Sequence, residues 1–67
     1  MIVNFSYDTD SERESIELNV DELSSVLHCD GIGHNGKYYR ITIKIFEFID
    51  YNRELTVFAK YDSSVEF

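Results

Sequence analysis

Proline is absent from this 67-residue chain, cysteine occurs once, and lysine and arginine together number only six. Each shortage excludes something. One thiol, Cys29, cannot form an intramolecular disulfide, so the stapled framework of many small secreted domains is ruled out. No apolar run approaches the roughly 20 residues that span a bilayer. The opening Met1-Ile2-Val3-Asn4 lacks the basic start and apolar stretch of a secretory signal. With the lone free thiol, these absences lead to the expectation of a cytoplasmic protein. Linkers, repeats and low-complexity tracts are also missing, so residues 1–67 are expected to form a single domain, with 62–67 as a frayed tail.

The scarcity of basic residues is uneven. Thirteen acidic residues against six basic ones leave a net charge of −7. Residues 1–34 hold Asp8, Asp10, Glu12, Glu14, Glu17, Asp21, Glu22 and Asp30 against Arg13 alone, whereas the second half is balanced. Neutralising phosphates requires clustered Lys and Arg, so direct nucleic-acid binding is not expected, and anionic membranes are disfavoured for the same reason. The partner such a charge attracts is a protein with a basic surface, or a cation.

What the chain does have is apolar bulk: 43% hydrophobic residues, with five Phe and five Tyr among them. Large aromatics bury much surface per residue, which suits a small core. At this length burial and chain entropy nearly cancel, leaving a net stability of only a few kcal/mol. The core must hold on packing alone, or be completed by a second chain.

The apolar periodicity predicts the elements. Val3, Phe5 and Tyr7 alternate with polar neighbours, as in a strand with one buried face. Residues 8–14 read as a turn, and alternation resumes at Ile16, Leu18 and Val20, completing a first antiparallel hairpin. Asn19 followed by Glu22 matches a capping box. Leu23, Val26 and Leu27 then share one face of a short helix that should end near Asp30-Gly31, with the glycine left-handed. Asn35-Gly36 predicts a type I′ turn between a short strand near 32–34 and a long one starting at Lys37. Tyr39, Ile41, Ile43 and Ile45 lie on one face of that strand. After Ile45 the pattern breaks, because Phe46 and Phe48 take the polar parity: either a bulge flips the register there, or the second face also turns apolar. Asp50-Tyr51-Asn52-Arg53 is turn-like, with Asn52 suited to the left-handed region, and a last strand carries Leu55, Val57, Ala59 and Tyr61 on one side. The expected fold is α+β: a small antiparallel sheet of four to five strands, two β-hairpins in the order β-β-α-(β)-β-β, with one short helix packed on one face. Strand order across the sheet stays open.

Candidate chemistry is thin. His28-Cys29-Asp30 with His34 is the one cluster of metal-ligand types, but it offers a single sulfur, and three adjacent residues cannot converge on one ion without strain. A helix end with His28 facing the negative end of the dipole explains it. Cys29 with either histidine lacks an orienting group and an oxyanion pocket, so it reads as a small buried hydrophobe. Asp8-Thr9-Asp10-Ser11-Glu12 resembles the start of a calcium loop, yet Arg13 and Asn19 stand where Gly and Glu are required. Gly31-Ile32-Gly33 lacks the third glycine and the lysine of a phosphate loop. No catalysis, no metal and no cofactor are expected.

Two surfaces stand out instead. Asp8, Asp10, Glu12, Glu14, Glu17, Asp21 and Glu22 form an acidic run along the first hairpin and the helix start, able to imitate a row of phosphates before a basic cleft. The plain alternative is that the acidity merely keeps a small protein soluble. On the second hairpin, Tyr38, Phe46, Phe48 and Phe58 are expected on a face that one helix cannot cover, a contact surface whose simplest form is self-association. The functional expectation is a small acidic, non-enzymatic protein-binding module, an inhibitor that occludes a basic, nucleic-acid-binding surface of a partner protein. The alternative is a structural or regulatory homodimer using the aromatic face. A metal-binding protein or enzyme built on His28, Cys29 and His34 is a third reading, disfavoured by its ligand count.

Overall fold

The computed structural model describes residues 1–8 and 13–65, with the backbone alone for Ile49. In chain order the elements are β1 (Ile2–Tyr7), β2 (Glu14–Glu17), α1 (Val20–His28), β3 (Gly31–His34), β4 (Lys37–Ile49) and β5 (Asn52–Tyr61). The class and the element order are those expected. The strands form one five-stranded sheet in the order β2-β1-β5-β4-β3. No described helix is long and apolar enough to cross a membrane.

The expectation of a wholly antiparallel sheet is corrected. β1–β2, β4–β5 and β3–β4 are antiparallel, but β1 and β5 are parallel, with Ile2 opposite Glu54 and Tyr7 opposite Ala59. The cause is the connection. The chain leaves the β2 edge through α1 and re-enters at the far edge as β3, so the second hairpin returns its last strand beside β1 and running with it. Everything between β1 and β5 acts as the long crossover that a parallel pair needs.

The core lies where these two central strands meet. Val3, Phe5 and Tyr7 stand in register with Leu55, Val57 and Ala59 on one face, and all six are buried together with Leu18 and Tyr39. Leu23 and Val26 of α1 pack on them, as do Met1, Ile32 and Ile41. Each fully buried side chain of this size stabilises by about 1.5–3 kcal/mol. No helix residue is itself buried, so a helix this short is held by the sheet face rather than by propensity.

The sheet curls. β5 and β4 separate β1 from β3, yet the His34 ring of β3 stacks on Tyr7 of β1 with centroids 4.1 Å apart. Glu14 Oε2, on the far edge strand β2, lies 3.5 Å from His34 Nδ1. These contacts close the molecule near the Asn35 turn, while Leu23 and Val26 of α1 pack on the same face.

Local signals explain most of the joints. Asn19 Oδ1 accepts from Glu22 N at 2.8 Å and Glu22 Oε1 accepts from Asn19 N at 3.1 Å, the reciprocal cap expected from the sequence. Asn35 and Gly36 take φ of 51° and 73°, as the type I′ turn requires. In the other hairpin loop it is Asp50, at φ 53°, rather than Asn52, that adopts the left-handed conformation. The helix does not end on a left-handed glycine either. Cys29 is extended (φ −87°, ψ 157°), and Lys44 Nζ donates to Leu27 O at 2.8 Å and to Cys29 O at 3.2 Å, satisfying terminal carbonyls with a cation.

Gly31 is needed for another reason. It shares a sheet face with Arg40 and Tyr38, and a Cβ at this position would collide with the Tyr38 ring. The ring lies over bare backbone. Gly31→Ala should therefore lower stability by about 1–3 kcal/mol through overpacking, and by much less in a Tyr38→Ala background. Urea denaturation of the four proteins in this cycle reads the difference; equal costs in both backgrounds would remove Tyr38 as the cause.

One irregularity decides which residues face outward. The β4–β5 register slips between Ile41 and Ile43, leaving Thr42 as the extra residue, its hydroxyl donating to Phe58 O at 3.2 Å. The break thus falls between Ile41 and Ile43, not after Ile45 as the sequence pattern suggests, and the expected Ile41/Ile43/Ile45 face is split. Ile41 stays with the core. Ile43 and Ile45 turn to the opposite side, across from Phe58 and Thr56, while Lys44, Phe46 and Phe48 join the helix-bearing side across from Val57, Leu55 and Arg53.

Candidate functional site

Four of the acidic residues map onto one edge of the sheet and the start of the helix. Glu14 and Glu17 begin and end β2, the outermost strand on its side. Their cross-strand partners differ in parity, Phe5 for Glu14 and Ile2 for Glu17, so the two carboxylates emerge on opposite faces of the same edge. Asp21 and Glu22 continue the run in the first turn of α1, where carboxylates suit the positive end of the helix dipole. Asp8 follows the last residue of β1. Asp10 and Glu12 lie outside the described residues.

Several of these groups also have structural duties. Asp8 Oδ1 accepts from Tyr61 N at 2.8 Å, and Glu22 completes the helix cap. Glu14 faces His34, and Glu17 Oε1 lies 3.8 Å from the Met1 amine. Among the described residues, none of the five carboxylates forms a salt bridge with lysine or arginine. Arg13, the one basic residue in this half, turns its guanidinium over the Phe58 ring at 5.7 Å.

The aromatic set is not one surface. Tyr38 and Phe58 lie on the face away from the helix, Tyr38 against Gly31 and Phe58 beneath Arg13. The Thr42 bulge carries Phe46 and Phe48 to the opposite face, where their rings meet edge to face at 5.1 Å and Arg53 sits 5.8 Å from the Phe48 ring. Parity counting along an unbroken strand groups all four; one extra residue separates them into two pairs.

The remaining candidates are dispersed. His28 Nδ1 is 2.8 Å from Ser24 O within its own helix, and Cys29 Sγ donates to Val26 O at 3.5 Å. His34 lies at the other end of β3 against Tyr7. Among the described residues no three His, Cys, Asp or Glu side chains are placed to hold a metal ion. A shallow groove runs past Arg40, Thr42, Lys60 and Tyr61. Its strongest polar groups are paired with each other: Arg40 Nη2 donates to Asp62 Oδ2 at 2.6 Å. The Ser64 hydroxyl, then Arg40, hold the Asp62 carboxyl at about 2, and Asp62 in turn raises the Arg40 pKa.

Comparison with protein-family models, with curated protein sequences and with solved structures finds no significant match to this chain.

Proposed function

We propose that this chain is a small acidic, non-enzymatic protein-binding module that occludes a basic, nucleic-acid-binding surface of a partner protein in the cytoplasm. One observation supports the reading above the others. The described carboxylates Glu14 and Glu17 on the β2 edge, Asp21 and Glu22 at the helix start, and Asp8 at the end of β1 form no salt bridge with lysine or arginine among the described residues. The basic residues of the second half, by contrast, all belong to β4 and β5. Carboxylates spaced along the β2 edge and the helix start offer a basic groove what a phosphate backbone offers it: spaced negative charge that speeds encounter and selects the partner.

Affinity capture with the tagged chain, followed by mass spectrometry, tests this. A nucleic-acid-binding protein should be retained, released by salt of about 0.5 M as screened contacts are, and displaced by added DNA or RNA. A specific partner that stays bound at that salt concentration and in excess nucleic acid would overturn the occlusion reading.

A further inference from the structure

β4 is 13 residues long, but its outer neighbour β3 has only four. β3 pairs with Lys37–Arg40, and the last backbone bond on that side of β4 runs from Ile41 N to Asp30 O at 2.9 Å. From Thr42 to Ile49 this edge has no backbone partner among the described residues. The direction of its free groups follows from the loop. Ile49 and Asn52 close a two-residue turn, so they face each other as a hydrogen-bonded pair. Counting back by two, Glu47 and Ile45 also point toward β5, while Phe48, Phe46 and Lys44 aim their N–H and C=O groups outward.

This open edge is flanked by apolar side chains on both faces. Ile43 and Ile45 are 54% and 41% exposed on one side, Phe46 and Phe48 are 48% and 72% exposed on the other. An edge strand of this length and character is a template for strand addition. The other end of the sheet is protected differently, since β2 is short and carries Glu14 and Glu17.

We propose that the free edge of β4 pairs antiparallel with the same edge of a second copy of this chain, about a twofold axis at Phe46, so that one continuous sheet crosses a homodimer. The choice of occupant rests on self-complementarity. In this register Phe46 meets its own copy and Phe48 lies beside the stem of Lys44 of the second copy. On the opposite face Ile45 meets Glu47. The outward groups of residues 44, 46 and 48 are all paired. No like charges oppose each other, because Lys44 and Glu47 are the only charges in the segment and neither meets its own copy. Assembly also closes at two: the edges left outermost are the acidic β2 strands, which repel. This inference is independent of the acidic-edge reading and opposite in its salt response, since screening two chains of net charge −7 favours their association.

The test is the mass in solution at about 0.2 mM protein, well above the micromolar range expected of so small an interface. Sedimentation should give twice the 7.9 kDa chain mass, more firmly at higher salt. Phe46→Lys, at a half-exposed position, should give the monomer mass because two lysines then meet at the axis. Amide hydrogen exchange of the unsubstituted chain adds a readout independent of any variant: the Lys44, Phe46 and Phe48 amides should gain protection as concentration rises. A monomer at this concentration, or a dimer in which those three amides exchange freely, overturns the proposal.

Discussion

Replacing Tyr39 by alanine should abolish the cooperative unfolding transition of this chain. Tyr39 is 2% exposed and is the largest of the fully buried side chains. Its ring packs against Tyr7 at 4.8 Å, Tyr61 at 5.8 Å and His34 at 6.1 Å, tying β4 to β1, β5 and β3 at once. Truncating a buried aromatic to alanine costs about 3–5 kcal/mol. A 67-residue domain with one thiol and no disulfide has a total of about 3–5 kcal/mol from its core. The loss therefore matches the whole net stability. Thermal melting followed by circular dichroism should show a sigmoidal transition for the parent chain and for Tyr39→Phe, which keeps the ring, and a featureless slope for Tyr39→Ala. A two-state melt of Tyr39→Ala displaced by only a few degrees would mean that the three-way aromatic contact contributes little.

The second large effect concerns the acidic edge. Reversing Glu17 and Asp21 to lysine should weaken partner capture by at least about a hundredfold while leaving the helical and strand signal of the chain intact. Each reversal replaces attraction by repulsion at a basic surface, and close charge pairs at interfaces couple by about 1.5–7 kcal/mol. Glu17 and Asp21 are exposed and sit outside the helix cap, so they can be changed without disturbing Asn19 and Glu22. Glu22 should not be used for the same purpose, because its loss also frays the helix. Capture of the same partner at undiminished affinity by the reversed chain would leave the negative charge with no role beyond solubility.

Those two predictions draw on information that was unequally legible in the chain. The cap at Asn19, the turn at Asn35-Gly36 and the core parity of Val3, Phe5 and Tyr7 follow from local rules that act within a few residues, and the structure places them as those rules require. The parallel pairing of β1 with β5 could not be read this way, because hairpin patterns define neighbours in sequence and are silent about which hairpins meet. The bulge at Thr42 was half visible. A change of parity announced it, but Ile43 and Ile45 are as apolar as core residues and concealed where the slip begins. That displacement by a few residues decides the surface: it separates Tyr38 and Phe58 from Phe46 and Phe48. The open edge of β4 was legible in principle, as a 13-residue strand beside a glycine-interrupted partner of four.

The parallel contact between the first and last strands also governs when this protein can fold. Val3 reaches its partner Leu55, and Phe5 reaches Val57, only across nearly the entire chain. Such long-range pairings raise the contact order, and they delay folding because loop closure must precede the contacts that reward it. The first hairpin can meet α1 early, but it gains its central neighbour only when residues 52–61 arrive. A chain cut short within β5 would thus lose half of its central pair, and the earlier strands would be left without a core to join.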